Sequence, residues 1–372
     1  MQIASVGSAF PPHYYDQHAL LEALKGYWAE RHHNLERLER LHENVLVGGR
    51  HLALPIDAYD RLDGFGDAND AWIRVAQEVG EAAVTDALER AGLAPADVDA
   101  LIFVTVTGVA TPSIDARLVN RLGLSPRVKR VPIFGLGCVA GAAGIARAAD
   151  YVRAFPGEVA VLLSVELCSL TLQRQDLSIP NLIASGLFGD GAAAVVVAGA
   201  ERAAELEARV GDGGGTGGSN GGGDGNRLGP RILATRSVFY PDSEEVMGWD
   251  VSERGFGIVL SADVPEVARE HLGPDVDLFL ADHDLSRGDV ASWVCHPGGP
   301  KVLEAIQQAL DLPDDALAVT WRSLREVGNL SSTSVLLVLQ ETMAHHRPPP
   351  GSLGIILAMG PGFCSELVLV EW

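Results

Sequence analysis

Short apolar runs alternate with amphipathic or small-residue stretches along nearly the whole chain, which has 372 residues. In the first half, the apolar runs predict strands at residues 2–9, 98–107, 128–134, 159–166 and 192–198. The stretches between them predict helices within residues 17–44, 70–91, 113–122, 140–154 and 180–187. Strands and helices that follow one another in this way are typical of an α/β layered fold with buried sheets.

The same alternation returns in the second half of the chain. Strands are predicted at residues 231–239, 257–261, 292–295, 353–359 and 366–370. Helices are predicted at residues 264–272, 300–310 and 332–343. We therefore interpret the chain as two similar α/β halves, residues 1–210 and 226–372, although no repeat is evident by identity.

Between these halves, residues 211–225 interrupt the pattern. Ten of these fifteen residues are Gly, and none carries a large apolar side chain. Such a segment cannot bury apolar surface, so it is expected to be a flexible surface loop. A phosphate-binding loop is disfavoured because no Lys-Ser/Thr signature accompanies the glycines.

The composition excludes one class of partner. Hydrophobic residues make up 47% of the chain, which is enough for a large core. The formal net charge is −21, with 49 acidic residues against 28 basic ones. A nucleic-acid backbone requires clustered Lys and Arg, so nucleic acid is not expected to bind. An anionic ligand such as coenzyme A would require a local basic pocket.

The cysteines and the N-terminal residues indicate the cellular compartment in which the protein is expected. The four cysteines, Cys138, Cys168, Cys295 and Cys364, show neither CxxC pairing nor metal-ligand spacing. No disulfide framework or metal site is therefore expected, and a reducing cytoplasm is the expected compartment. Residues 1–12 lack the basic and apolar regions of a signal peptide. Apolar runs such as residues 192–198 are too short to span a bilayer.

Cys138 is the first candidate for chemistry, because it lies between a predicted strand and a helix rich in Ala and Gly. A thiol at a helix N-terminus has a lowered pKa, which makes the thiolate nucleophile available. Its small neighbours would let a bulky acyl thioester approach. One alternative is a buried structural cysteine. Another is a dinucleotide-binding turn, since residues 135–140 fit G-x-G-x-x-A, although this motif normally opens the first βαβ unit.

His296 and Asn329 are the second and third candidates. His296 follows a short predicted strand and precedes Pro-Gly-Gly-Pro, which would leave its imidazole at a sheet edge. The alternative is a structural histidine. Asn329 follows Gly328 and precedes a predicted helix, so the alternative there is a helix N-cap. The Asn329-Leu330-Ser331 glycosylation sequon is discarded because nothing indicates secretion.

A Cys, a His and an Asn far apart in sequence are typical of a thiol acyl-transfer enzyme. The imidazole and the amide can both donate hydrogen bonds to a thioester oxygen as it becomes negatively charged. This would stabilise the enolate formed by a decarboxylation and the tetrahedral intermediate of acyl transfer. A cysteine protease could use the same three side chains, but it would not require small-residue surroundings or a doubled α/β layout.

The chain resembles the type III polyketide synthases, the chalcone-synthase-like branch of the thiolase fold. The matching motifs are residues 135–144, 186–192, 295–300, 328–332 and 359–363. The resemblance implies two α/β halves in an αβαβα arrangement. It also implies that Cys138 carries the acyl chain, that His296 and Asn329 drive malonyl-CoA decarboxylation, and that Phe188 separates a coenzyme A tunnel from an inner cavity. The alternative for Phe188 is a core aromatic.

The resemblance implies further substrate-binding positions and partners. The remaining candidates are Thr107, Thr111, Cys168, Thr171, Ile258, Ser331, Gly299, Lys301 and Arg50. The family implies a homodimer in which Thr111 reaches the other subunit's cavity. Acyl-CoA and malonyl-CoA are expected as substrates, and no cofactor is expected.

Some positions depart from the plant enzymes. Ile258 stands where they have a second gate Phe, Cys168 replaces a Thr, and Ala358-Met359 replaces Gly-Phe. These changes favour a fatty acyl starter and an alkylpyrone or alkylresorcinol product. The alternatives are a malonyl or aromatic starter, a ketoacyl synthase III-like enzyme with a single condensation, and an inactive scaffold.

Overall fold

The protein is described by a computed structural model that covers residues 1–28, 35–212 and 228–372. The strands are β1 (Gln2–Ala9), β2 (His13–Asp16), β3 (Gly49–Leu52), β4 (Ala100–Thr105), β5 (Lys129–Phe134), β6 (Val159–Leu167), β7 (Asp190–Ala198), β8 (Arg231–Phe239), β9 (Met247–Ser252), β10 (Gly255–Leu260), β11 (Val290–Cys295), β12 (Leu353–Gly360) and β13 (Cys364–Glu371). The helices are α1 (Gln17–Trp28), α2 (Leu35–Asn44), α3 (Phe65–Ala91), α4 (Ile114–Leu122), α5 (Ala140–Ala154), α6 (Ile179–Leu187), α7 (Ala200–Asp212), α8 (Val264–Ala281), α9 (Pro300–Leu310), α10 (Ala318–Val327) and α11 (Ser332–His345).

Nine strands of the described residues form one sheet in the order β11-β12-β13-β8-β1-β7-β6-β4-β5. Each predicted half of the chain contributes one contiguous group of strands. The two groups meet where β1 lies beside β8, through the pair Gln2 and Arg231. The short pairs β2–β3 and β9–β10 lie outside this sheet.

The helices lie in three layers, one between the two groups of strands and one on the outer face of each group. Helices α5 and α11 lie in the middle, because each contacts strands from both groups. Helix α3 covers the outer face of the first group, while α8 and α9 pack on the second group. The predicted layered α/β fold is therefore confirmed. The middle layer depends on small side chains, since a Cβ at Gly141 of α5 would collide with the carbonyl oxygen of Ser332.

Several elements differ from the sequence-based prediction. Helix α8 was predicted to end at residue 272 but continues past Pro274 to Ala281. Proline removes one helical hydrogen bond, yet Val276 and Leu280 beyond it are fully buried, and this burial holds the helix together. Helices α7 and α10 and strands β2, β3 and β9 were not predicted.

The predicted loop at residues 211–225 also needs a correction. Gly211 and Asp212 form the end of α7 instead of the start of a loop. Helix α7 forms because Ala203 and Leu206 lie on one helical face and are buried. Residues 213–225 lie outside the described part of the chain.

Candidate active site

Cys138 lies in a single 3-10 turn, Gly137–Val139, that connects β5 to α5. This turn requires glycine before the cysteine. Gly137 has a φ of 56°, and a Cβ there would lie 2.6 Å from Cδ of Pro361. The Cys138 thiol is buried and donates to Oγ of Ser331 across 3.6 Å. The thiol is thus held between the two halves of the chain.

The thiol of Cys138 is not acidified, which corrects the sequence-based expectation. Burial, with a smaller contribution from the negative charge of Glu166, raises the pKa of Cys138 to about 12, although the hydrogen bond to Ser331 opposes this rise. Relative to an ordinary thiol with a pKa of 9.0, this corresponds to about 4 kcal/mol against the thiolate. A helix N-terminus contributes about 0.3–2 kcal/mol, so burial outweighs it. The thiol therefore requires a base to become a nucleophile.

His296 offers such a base. It follows β11, where its backbone N–H donates to the carbonyl oxygen of Leu357 on β12 at 2.9 Å. The residue is 5% exposed, and within the described residues neither Nδ1 nor Nε2 of its imidazole has a hydrogen-bond partner. Burial lowers the pKa of His296 to about 3, so the ring is neutral. A neutral imidazole has one N–H donor and one acceptor nitrogen, so it can both accept the thiol proton and donate to an oxyanion.

Asn329 lies in the segment between α10 and α11. Its side-chain Nδ2 donates to the carbonyl oxygen of Gly298 at 3.2 Å, and its Oδ1 accepts from the N–H of Ser331 at 2.8 Å. The helix N-cap alternative is not supported, because Ser331 occupies the N-cap position of α11. The second Nδ2 proton takes part in no described hydrogen bond and is available to a ligand.

The three side chains line one cavity, which we call the catalytic cavity. It is small, with a volume of about 30 Å³. Apolar residues from both halves complete its wall, including Leu187, Met247, Leu260, Val264, Val302 and Phe363. Cys138, His296 and Asn329, which are at least 33 residues apart in sequence, are thus brought to the same small space by the fold.

A second cavity lies next to the first, and we call it the apolar chamber. It has a volume of about 80 Å³ and shares Phe188 with the catalytic cavity. The predicted residues Arg50, Cys168, Thr171 and Ile258 line it. Most of its remaining wall is apolar, with Leu20, Leu24, Leu52, Leu172, Trp249 and Phe256. Phe188 lines both spaces, and its role as a gate stays a prediction.

Family models match most of the chain. The model of the N-terminal domain of chalcone and stilbene synthases matches residues 1–201, and the model of their C-terminal domain matches residues 231–371. The chain belongs to the chalcone and stilbene synthase family. It is a type III polyketide synthase, an acyltransferase that joins acyl units by decarboxylative Claisen condensation.

Individual relatives agree with this assignment. A 1,3,6,8-tetrahydroxynaphthalene synthase of Streptomyces peucetius subsp. caesius is 50% identical over 370 residues, covering 100% of this chain and 93% of the relative. A putative chalcone synthase of Bacillus subtilis is 35% identical, covering 100% and 98%. The crystal structure of the 1,3,6,8-tetrahydroxynaphthalene synthase of Streptomyces coelicolor superposes with a TM-score of 0.86 at 30% identity, covering 100% and 99%. The predicted thiolase-like fold is confirmed by this likeness.

The structure places the other predicted residues of this polyketide synthase in different surroundings. Ser331 contacts the nucleophile directly, with a φ of 46°. Gly299 is buried at the start of α9, while Lys301 on the same helix is exposed. Thr111 is exposed on a loop before α4. Gly299, Lys301 and Thr111 are not among the wall residues of the two cavities.

Thr107 was predicted to line the cavity, but it belongs to a buried network around Glu166 instead. The Glu166 carboxylate accepts from Thr107 Oγ1 at 3.0 Å, from the N–H of Val106 at 3.1 Å, and from the Ser332 hydroxyl. Burial raises the pKa of Glu166 to about 7. This carboxyl can therefore exchange a proton near neutral pH close to Cys138. Glu166 is not among the residues predicted from the sequence, although a charged residue at the end of an apolar strand is a usable signal.

Two further observations concern membrane-spanning helices and metal sites. No helix in residues 1–28, 35–212 or 228–372 is both long and apolar enough to cross a membrane. Over the same residues, no group of three or more His, Cys, Asp or Glu side chains is suited to hold a metal ion.

Proposed function

We propose that Cys138 carries the acyl chain and that His296 and Asn329 act together in decarboxylation. The observation that supports this is the single cavity that the three side chains line. In the loading step, the Cys138 sulfur attacks the carbonyl of a starter acyl-CoA while its proton moves to His296, so that no free thiolate has to form beforehand. Coenzyme A leaves with a proton returned from His296, so a new thioester forms as the old one breaks.

In the extension step, His296 and Asn329 act on malonyl-CoA while Cys138 carries the acyl chain as a thioester. Malonyl-CoA loses CO₂, and the bond electrons form an enolate whose oxygen accepts from the N–H of His296 and from Nδ2 of Asn329. The enolate carbon then attacks the Cys138 thioester, which releases the thiolate and leaves a chain two carbons longer on coenzyme A. Transfer of this chain back to Cys138 permits the next cycle. Coenzyme A thioesters enter as substrates, and the proposal requires no cofactor.

For the starter, we propose malonyl-CoA and a small aromatic product. The relative that is 50% identical is named for 1,3,6,8-tetrahydroxynaphthalene, whose carbon atoms all lie in its two rings. That product carries no alkyl chain and its oxygens alternate, as expected when only two-carbon units are joined. The fatty acyl starter predicted from the sequence remains the second candidate, and the apolar wall of the chamber favours it.

One experiment decides between these starters. The purified protein is incubated with malonyl-CoA alone, and in parallel with malonyl-CoA plus octanoyl-CoA, palmitoyl-CoA or coumaroyl-CoA. We expect an aromatic polyketide from malonyl-CoA alone, identified by its mass, and little incorporation of the other starters. Alkylpyrones formed in preference would support the fatty acyl candidate. Absence of any polyketide with every starter would contradict the proposed function.

We further propose that the enzyme acts as a homodimer. Strand β5 lies at one edge of the sheet, and its Val131 and Phe134 are 43% and 50% exposed. Exposed apolar side chains on a sheet edge are suited to contact with another chain. Thr111 is exposed, which fits a contact with the partner's cavity. Light scattering tests this proposal, and a monomer at working concentration would contradict it.

A further inference from the structure

Arg50 places a buried cation in the wall of the apolar chamber. It lies on β3, and the residue is only 3% exposed. Its neighbours on this wall include Leu52, Ile56 and Ile258. A charged side chain is almost never fully buried unless it is paired, so a guanidinium in this place requires an explanation.

The side chain of Arg50 is fixed in position. Its Nη1 donates to the carbonyl oxygen of Phe188 at 2.7 Å. Its alkyl stem lies against the backbone of Gly189 and Gly328, where an added Cβ would come within 3.4 Å and 3.1 Å of the stem. Gly189 and Gly328 are next to Phe188 and Asn329 in the chain. Arg50 therefore cannot turn outward to water, and it holds a constant place beside the gate.

Only some of the hydrogen-bond donors of the Arg50 guanidinium have an acceptor. Its Nε is buried and has no hydrogen-bond partner among the described residues. In the described part of the chain, no carboxylate lies within 4.0 Å of Arg50. Asp190 is near enough to favour the charged form, but its carboxylate accepts from the N–H groups of Ala53 and Ser169 instead. Burial lowers the pKa of Arg50 to about 10, so the side chain remains charged at neutral pH.

We propose that Arg50 binds an acceptor oxygen of the acyl chain that extends from Cys138 past Phe188 into the chamber. This inference rests on the proposed function. The oxygen belongs either to the carboxylate of a malonyl starter or to a keto group of the growing chain. An oxygen in the chamber can accept a hydrogen bond from the guanidinium, whereas an alkyl tail would leave this cation facing apolar groups alone, so an oxygen-bearing tail is preferred. The chamber is therefore a site for oxygenated chains in spite of its apolar wall.

Two matched pairs of substrates distinguish the two sources of oxygen. Malonyl-CoA and isovaleryl-CoA have the same shape, with a carboxylate in one and two methyl groups in the other. Acetoacetyl-CoA and butyryl-CoA have the same chain length, with and without a keto oxygen. Each pair competes as starter in one reaction with malonyl-CoA as extender, and product masses give the selectivity ratio.

The wild-type enzyme is compared with Arg50→Met and Arg50→Lys. We expect the wild type to prefer the oxygenated member of at least one pair by about tenfold or more, and Arg50→Met to lose that preference. Arg50→Lys, which keeps a charge but has no Nε–H fork, should also lower the ratio. If the variants lose the preference for malonyl-CoA, Arg50 binds the carboxylate of the starter. If they lose the preference for acetoacetyl-CoA, Arg50 binds a keto oxygen of the chain. Arg90→Met, which removes an exposed arginine of α3, is the matched control and should leave both ratios unchanged.

Folding and function have separate readouts. Circular dichroism and malonyl-CoA decarboxylation report whether a variant keeps its fold and catalytic cavity, and Arg50→Lys carries the test if Arg50→Met does not fold. Wild-type polyketide formation without preference in either pair would overturn the role of Arg50, as would unchanged ratios in both folded variants. A wild type that makes no polyketide from any starter would instead overturn the proposed function.

Discussion

The catalytic cavity and the apolar chamber share Phe188 but differ in which buried polar side chains have hydrogen-bond partners. In the chamber wall, the Tyr59 hydroxyl pairs with that of Ser169, and Asn181 donates to the backbone oxygen of Asp176 at 2.7 Å, while Nε of Arg50 has no partner among the described residues. In the catalytic cavity, both ring nitrogens of His296 lack a partner among the described residues. Paired groups hold a shape, whereas unpaired buried groups are available to a substrate. The unpaired side chain is thus an imidazole in the catalytic cavity and a guanidinium in the chamber; under the proposed function, the first serves the chemistry and the second the selection of the chain.

The strongest test of this comparison removes the nucleophile. Cys138→Ala is expected to lower polyketide formation by about 10³-fold or more, because the proposed function places the acyl chain on this thiol. Malonyl-CoA decarboxylation should persist, since His296 and Asn329 remain. Mass spectrometry of products and of released coenzyme A measures both. Product yield at the wild-type level from the variant would contradict the assignment.

A smaller effect is expected at Asn329. Asn329→Ala removes the Nδ2 donor to the enolate oxygen, so decarboxylation should fall by about 10²-fold or more. Ser185→Ala, which removes a chamber hydroxyl that donates to the backbone oxygen of Leu182, is the comparison, and its decarboxylation should change little. Near-normal turnover by Asn329→Ala would mean that this side chain only supports the backbone around Ser331.

The pKa of the nucleophile can be tested by alkylation. Because burial raises the pKa of Cys138 to about 12, the thiol is protonated at neutral pH, and its thiolate fraction rises as the pH rises. The rate of Cys138 modification by iodoacetamide should therefore increase about tenfold per pH unit between pH 7 and pH 10. Free cysteine, which levels off above its own pKa, is the control. A plateau for Cys138 near neutral pH would restore the expectation of a thiol acidified by the helix.

The smallest effect is expected from a change confined to the chamber. Cys168→Phe should fill part of this space and shift selectivity toward shorter starters, by roughly fourfold for each CH₂ that no longer fits. Decarboxylation should stay intact, because Cys168 lines the chamber and not the catalytic cavity. Cys168→Ser is the matched control of similar volume. The comparison between the two cavities fails if decarboxylation falls as far as chain selectivity does.

Local signals in the sequence were sufficient to find the three catalytic candidates. Gly137 before Cys138 and the Pro-Gly-Gly-Pro run after His296 mark strand-to-helix turns, where a side chain is lifted to the edge of a sheet. Asn329 was found in the same way, beside a glycine and a helix start. The layered α/β fold followed from alternating apolar runs, which depend on short-range periodicity.

The helices α7 and α10 and the length of α8 were not predictable in this way. Their limits depend on which face the rest of the molecule buries, as the continuation of α8 past Pro274 illustrates. Glu166 was missed as a site residue because its hydrogen-bond partners, Val106, Thr107 and Ser332, come from three separate parts of the chain.

The sequence by itself determined the candidate reactive side chains, the order of most elements and the family, because these depend on residue types and their spacing. Only the tertiary structure decided the pKa of Cys138, the neutral state of His296 and the position of Arg50 in the chamber wall. Burial and hydrogen-bond partners set these properties, and both depend on residues that are distant in sequence and adjacent only after folding.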